Sequence, residues 1–160
     1  MSRAPTDVRG LLLYRIARIA TLSDRSGQLH LSRRFGLNLG DWRVLSVIRA
    51  LAPVTLTDLV GELHLDKGQL SRSISNLVER GLVRQSASHQ NRRRTPLELT
   101  AAGNRLHDRI LPFVIGRNAK MMQDLSVAER IELLRLLDKV MAAVTSSYRE
   151  LLDGNVAPGD

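Results

Sequence analysis

The sequence predicts a mainly α-helical fold with one small β-hairpin, on the strength of three observations. Apolar residues recur at three- and four-residue steps over most of the chain, which is the period of an amphipathic helix. Between Thr55 and Gly81, capping residues bracket two short helices. After Gly81, short segments on either side of an arginine-rich turn predict two antiparallel strands. At 160 residues the chain is long enough for one domain with a sizeable core.

Two helices are predicted before the capped pair. The first spans residues 8–33, and Gly36 ends it or bends it into a loop. The second begins near Leu39 and stops at Pro53. Its apolar residues cover more than one stripe, so most of this helix is predicted to be buried. Those residues are Trp42, Val44, Leu45, Val47, Ile48, Leu51 and Ala52.

The next two helices form a helix-turn-helix. Thr55 is a predicted N-cap, and Asp58, three residues later, makes a weak form of the capping box. This third helix runs to about Leu63. Asp66 caps the fourth helix, which continues to Arg80, and Gly81 supplies the left-handed residue that commonly follows a helix. Helix, short turn and helix in this order are typical of a DNA-binding motif.

A hairpin and two further helices complete the prediction. Residues 82–87 and 94–99 are the strands, 88–93 the turn, and Pro96 is expected at a sheet edge. Thr100 caps a fifth helix to about residue 122, which Pro112 should kink. Ser126 and Glu129 form a full capping box that opens a sixth helix, to about residue 152. The predicted division is a winged lobe at residues 37–100 and a helical dimerisation region at residues 1–36 and 101–160.

Composition favours a polyanionic partner. The formal net charge is +8, and residues 66–94 carry seven basic side chains against two acidic ones. A solvated surface usually interleaves its charges, so this cluster indicates nucleic acid. Of the 24 basic residues only three are lysine. Arginine suits phosphate and guanine contacts, although a GC-rich genome explains the same bias.

Several other classes are disfavoured. The chain has no cysteine, which excludes disulfides and thiol chemistry. No apolar run is long enough for a membrane helix, and the start lacks a secretory signal, so the cytoplasm is the expected location. The four histidines are scattered, and no metal site, cofactor site or catalytic constellation is visible, which argues against an enzyme. Aromatic residues make up 3% of the chain, too few for a base-stacking surface.

The fourth helix has the composition of a major-groove reader. Leu70, Ile74, Leu77 and Val78 form a core-facing stripe, and the remaining faces carry short polar side chains. Gln69 and Asn76 can pair with adenine and Arg72 with guanine or phosphate. The arginines of the turn can reach a phosphate backbone or a minor groove. The competing interpretations are a solvated serine-rich helix face and a solvated basic loop. The predicted DNA contacts are Thr55, Lys67, Gly68, Gln69, Ser71, Arg72, Ser73, Ser75, Asn76, Arg84, Asn91, Arg92, Arg93 and Arg94.

The long first, fifth and sixth helices carry apolar stripes that a compact helix-turn-helix core covers on one side only. Packing within one chain is one solution. The other is a homodimer in which terminal helices of two chains interleave, which would match a palindromic double-stranded DNA site.

The chain resembles the MarR family of winged helix-turn-helix regulators between about Leu37 and Gly103. The segments DWRVL at 41–45, LDKGQLSR at 65–72, GLVR at 81–84 and NRR at 91–93, with Leu97, Leu99, Thr100 and Gly103, resemble the family's motifs in the family's order. The resemblance implies an obligate homodimer, usually transcriptional repression, Arg93 as the wing-tip arginine and Arg72 as the recognition-helix arginine. The family's wing usually has aspartate where this chain has Asn91, so the ion pair that fixes that arginine is missing.

The resemblance also implies control by a small, often aromatic anionic ligand bound near the dimer helices. The residues expected to form such a site are Leu29, His30, Trp42 and Arg43, with Arg43 facing the anion; plain core and surface roles are the alternative. Two other functions stay open. A ligand-independent architectural protein would bind many DNA sequences equally. A winged-helix module for protein interaction would ignore loss of Arg72 or Arg93 in a DNA assay.

Overall fold

The computed structural model describes residues 7–63, 65–85 and 95–154. Within these residues the chain forms six α-helices and an antiparallel pair of short strands, as predicted. In chain order they are α1 Leu12–Phe35, α2 Leu39–Leu51, α3 Leu56–Leu63, α4 Lys67–Glu79, β1 Val83–Gln85, β2 Leu97–Leu99, α5 Ala101–Met121 and α6 Val127–Leu152.

The first helix begins later than the sequence predicts. A short 3-10 turn at Val8–Gly10 precedes it, because the Asp7 carboxylate accepts a hydrogen bond from the Arg9 backbone N–H at 2.7 Å. Leu11 then takes an extended backbone conformation, and α1 starts at the next residue. Gly36 ends α1 with a φ of 61°, a left-handed conformation that glycine adopts without the steric cost that a Cβ imposes.

Side-chain caps fix the starts of the next three helices. Asn38 accepts from the backbone N–H of Asp41 at the start of α2. Thr55 and Asp58 bond reciprocally at the start of α3, with Thr55 N–H donating to Asp58 at 2.8 Å. These donors to Asp58 also hold the pKa of its carboxyl below the usual value. Asp66 caps α4 by accepting from the Gln69 N–H. The predicted helix-turn-helix is therefore present, with the predicted caps.

Among the described residues predicted to be strand, Leu82, Thr95 and Pro96 lie outside β1 and β2, and Val54 extends the sheet. Val83 pairs with Leu99, and Gln85 pairs with Leu97. On its other side, Leu97 bridges to Val54, with Leu97 N–H donating to the Val54 carbonyl at 2.8 Å. This extended residue between α2 and α3 ties the sheet back to the helix-turn-helix.

The core of this part of the chain lies between α2, α3, α4 and the sheet. Leu45, Ile48, Leu59 and Leu70 are fully buried, so the predicted stripes of α2 and α4 face inward. Three residues of the predicted apolar stripes are exposed: Leu51 at 48% and Val78 at 37%, together with Ala52, which follows α2. Leu51 lies in the last turn of α2 and Val78 in the last turn of α4, where each stripe extends beyond the elements that cover it.

The chain divides into two compact units, Met1–Leu111 and Pro112–Asp160. The second contains the end of α5 and all of α6. The Ser126 and Glu129 capping box opens α6 as predicted, with Ser126 N–H donating to Glu129 at 2.8 Å. No helix among the described residues is both long and apolar enough to span a membrane.

Candidate nucleic-acid interface

Helix α4 carries eight of the fourteen predicted DNA contacts, and six of these eight are exposed. Its apolar side is anchored by Leu70, Ile74 and Leu77, which are buried. Since side chains on opposite faces of a helix point in opposite directions, the face opposite these buried residues points towards solvent. Ser73 and Asn76 are half-buried; the exposed positions are Lys67, Gly68, Gln69, Ser71, Arg72 and Ser75.

The start of α4 is tightly built. A Cβ added at Gly68 would lie 3.0 Å from the Asp66 capping oxygen and 3.5 Å from a guanidinium nitrogen of Arg72. A side chain at position 68 would therefore crowd the Asp66 cap, whereas its distance to Arg72 is that of an ordinary van der Waals contact. The basic residues Lys67 and Arg72 lie in the first two turns, near the positive end of the helix dipole, where an anion is favoured.

Thr55 and Asn76, two of the predicted DNA contacts, form hydrogen bonds within the chain. The hydroxyl of Thr55 donates to Asp58 at 2.7 Å within the α3 cap. The amide nitrogen of Asn76 donates to Asp41 of α2 at 2.5 Å. Their roles in DNA contact stay predictions, and each would have to combine DNA binding with this structural bond.

Arg84 on β1 is paired with the neighbouring strand. Its guanidinium contacts Glu98 at 2.6 Å, and the Arg84 side chain remains 66% exposed. In register, Arg84 lies directly opposite Glu98. A carboxylate at this position competes with a DNA phosphate for the arginine, so Glu98 is predicted to weaken the backbone contact expected of Arg84.

Replacing Glu98 with glutamine is expected to tighten DNA binding about threefold to fivefold at low salt, the scale of an exposed ion pair. The released arginine would also steepen the log–log salt dependence by about one unit for each arginine that gains a phosphate. Fluorescence anisotropy across a salt series measures both effects. Glu132→Gln is the matched control, since it releases Arg135 of α6 from a pair of the same length. Equal affinities for the wild type and E98Q would contradict the prediction.

The predicted DNA residues Asn91, Arg92, Arg93 and Arg94 all lie outside the described residues. What the structure gives is the base of the hairpin, with Gln85 at one end and Thr95 at the other.

The residues predicted to bind a ligand have different environments. Trp42 is buried and stacks on His107 of α5, with ring centroids 5.4 Å apart. Arg43 is half-buried and contacts Asp24 of α1 at 2.7 Å. His30 is exposed. An anion at Arg43 would therefore have to replace or share the Asp24 carboxylate, and the ligand site stays a prediction.

Sequence reasoning missed three polar residues of this region. Asp41 is a buried acid, His107 stacks on Trp42, and Glu98 pairs with Arg84. The position of Asp41 beside an apolar helix segment could have indicated its role, because a carboxylate that is buried there needs hydrogen-bond donors. The partners of His107 and Glu98 come from distant parts of the chain, so no local sequence pattern indicated these contacts. Among the described residues, no cluster of three or more His, Asp or Glu side chains is arranged to hold a metal ion.

Comparison with known proteins agrees with this architecture. The sequence pattern of the MarR family matches residues 35–94, which include α2 to α4 and the first strand, β1. The chain is 28% identical over 131 residues to the HTH-type transcriptional regulator YkoM of Bacillus subtilis, covering 82% of this chain and 85% of that protein.

Solved structures share the fold. A MarR-family regulator from Listeria monocytogenes, crystallised with a 26mer DNA, superposes with a TM-score of 0.81 at 24% identity, covering 93% of this chain and 99% of that one. BpsR of Bordetella bronchiseptica, whose DNA binding is regulated by 6-hydroxynicotinic acid, gives 0.74 at 22% identity, covering 86% and 98%. The matched pattern, the regulator from Bacillus and the shared winged fold agree with the geometry of α4: the chain is similar to MarR-family transcriptional regulators in sequence over residues 35–94 and has their fold.

Proposed function

We propose that this protein is a cytoplasmic, sequence-specific repressor that binds a pseudo-palindromic operator as a homodimer. Each subunit places α4 in the major groove of one half-site, and the wing arginines reach the backbone or minor groove. The observation that carries the proposal is the exposed face of α4, which has small polar side chains and two cations opposite the buried residues Leu70, Ile74 and Leu77. The Listeria regulator, which has the same fold, was crystallised with a 26mer DNA, and this supports the proposal.

The test is an anisotropy titration against DNA from the region upstream of its own gene, with a scrambled duplex beside it, at two salt concentrations. A preference of roughly a thousandfold or more supports a sequence-specific regulator. If each subunit neutralises about four phosphates, the log–log salt slope is about −7. Equal affinity for both duplexes would favour an architectural protein. Absence of binding would favour a protein-interaction module.

Arg72→Ala is expected to lower operator affinity about tenfold to a hundredfold, the usual cost of losing an arginine contact to a base. The matched control is Arg49→Ala, because Arg49 is exposed in α2 and is not a predicted DNA contact. The two variants have the same net charge, so a general electrostatic effect would lower both affinities alike. Such an equal loss would contradict a specific role for Arg72.

The second part of the proposal is that a small aromatic anion regulates DNA binding. BpsR responds to 6-hydroxynicotinic acid, and an aromatic acid of this kind could contact Trp42, His30 and Arg43 in this chain. Binding would exchange the Asp24 carboxylate on Arg43 for that of the ligand. Since Asp24 lies on α1 and Arg43 on α2, this exchange would alter the link between the first helix and the DNA-binding lobe.

A further inference from the structure

A buried carboxylate joins α2 to the predicted recognition helix. Asp41 is 1% exposed, and a buried carboxylate is costly unless hydrogen bonds stabilise it. Two amide groups converge on its Oδ2 atom: the Asn38 nitrogen at 2.7 Å and the Asn76 nitrogen at 2.5 Å. The backbone N–H of Asp41 donates in return to Asn38 Oδ1 at 2.7 Å. Asp41 is thus fixed within the cap of α2 and holds a residue of α4.

The start of α2 is itself held from two sides. On the α1 side, the Gln28 amide oxygen accepts from the Leu39 N–H at 2.8 Å. On the α4 side, a Cβ added at Gly40 would lie 3.6 Å from the Ser73 hydroxyl oxygen. This is an ordinary contact distance, and the Asp41–Asn76 bond follows at the next residue of α2, so the first turn of α2 lies against α4.

Asn76 shares its helix face with residues predicted to read DNA. Gln69, Arg72 and Ser73 precede it by seven, four and three residues, which places them on one side of α4. All four line an open polar groove of about 520 Å³ together with Gln28, Asn38, Gly40 and Asp41. The groove therefore brings the anchoring bond next to the predicted base contacts.

Apolar packing is non-directional. Burial of the apolar residues therefore fixes how closely α4 packs on the core better than it fixes the rotation of α4 about its own axis. A hydrogen bond is directional and depends steeply on distance and angle. Helix side chains reach about 5–6 Å from the axis, so a rotation of roughly 20° moves their tips by about 2 Å. A shift of that size breaks hydrogen bonds to base edges.

We propose that Asp41 is a positioning residue for base recognition. Its buried carboxylate, acting through Asn76, fixes the rotation of α4 so that Gln69, Arg72 and Ser73 meet the bases in register. The inference rests on the proposed function, since it requires sequence-specific binding. It also gives Asn76 a role through Asp41, where the sequence alone predicts a direct contact with adenine.

The experiment compares Asp41→Ala, Asn76→Ala and the double variant with the wild type. Operator and scrambled duplex are titrated well below each variant's melting temperature. Each single variant is expected to lose about tenfold in preference, by weakening operator binding while affinity for the scrambled duplex stays within about twofold. The double variant should lose no more than either single one, because both substitutions break one bond. Multiplying losses would mean that Asn76 reads a base independently, which overturns the proposal.

Two further variants separate positioning from folding. Asp41→Asn keeps an oxygen that can accept both amide bonds, so it should retain most of the preference, including when Asp41→Ala is too unstable to study. Loss of preference in D41N equal to that in D41A, or no loss in D41A, overturns the inference. Asn104→Ala is the control for removing an asparagine hydrogen bond, here to the Thr100 carbonyl within α5, and should keep full preference. If the wild type shows no preference for the operator, the proposed function fails and this inference fails with it. If the wild type shows the preference and D41A keeps it in full, only the inference is refuted.

Discussion

Replacing Gly103 with alanine is expected to lower the free energy of unfolding by about 2–3 kcal/mol, the upper part of the range for overpacking a core. A Cβ at this position of α5 would overlap the carbonyl oxygen of Leu82 and lie 3.0 Å from the carbonyl carbon and 3.4 Å from Leu99 Cβ. The carbonyl cannot swing away at little cost, since it accepts the Thr100 N–H at 3.0 Å. The strand and the helix would have to separate.

Thermal or urea unfolding at one protein concentration measures this loss, which corresponds to a fall in melting temperature of roughly 4–12 °C for a chain of this size. Gly116→Ala is the control within the same helix, because a Cβ there meets nothing within 4 Å. That variant is expected to be stabilised by up to about 1 kcal/mol, since alanine favours the helix over glycine. The prediction fails if the two variants shift stability in the same direction.

Leu134→Glu is expected to convert the proposed dimer into monomers and to weaken operator binding at least about a hundredfold, since one subunit can then hold only one half-site at a time. One face of α6 is apolar and exposed along its whole length. Two series of residues spaced by seven form it: Val127, Leu134, Met141 and Tyr148 in one, and Leu137, Val144 and Leu151 in the other. A soluble monomer rarely exposes so long an apolar stripe, and seven-residue spacing is typical of helices that pack along each other. A second copy of the chain would cover it.

Sedimentation velocity or light scattering gives the mass, and anisotropy gives the operator affinity. Lys139→Gln is the control, because it also lowers the charge by one unit while its position lies on the opposite face of α6. Circular dichroism should show unchanged helix content in both variants. A dimer of normal affinity for Leu134→Glu would remove α6 from the interface.

The sequence anticipated those parts of the fold that are local. The starts of α3, α4 and α6 were predicted from Thr55, Asp66 and Ser126, because a cap is decided by residues three positions apart. The end of α1 at Gly36 was predicted for the same kind of reason, since the left-handed backbone there belongs to one residue. The start of the first helix was predicted too early, because Asp7 caps a short 3-10 turn before it. A continuous helix and a 3-10 turn followed by a helix fit the same apolar periodicity.

The sequence by itself determined that this chain has a capped helix-turn-helix with one small polar face, a cluster of basic residues in the same part of the chain, and long amphipathic helices before and after it in sequence. Only the tertiary structure decided which of those polar residues have partners. It pairs Glu98 with Arg84 and Asp24 with Arg43 as ion pairs, and it joins Asp41 to Asn76 by a hydrogen bond. These pairs join residues 14, 19 and 35 positions apart. Their formation depends on how separate elements pack, which no local pattern of charge or hydrophobicity encodes.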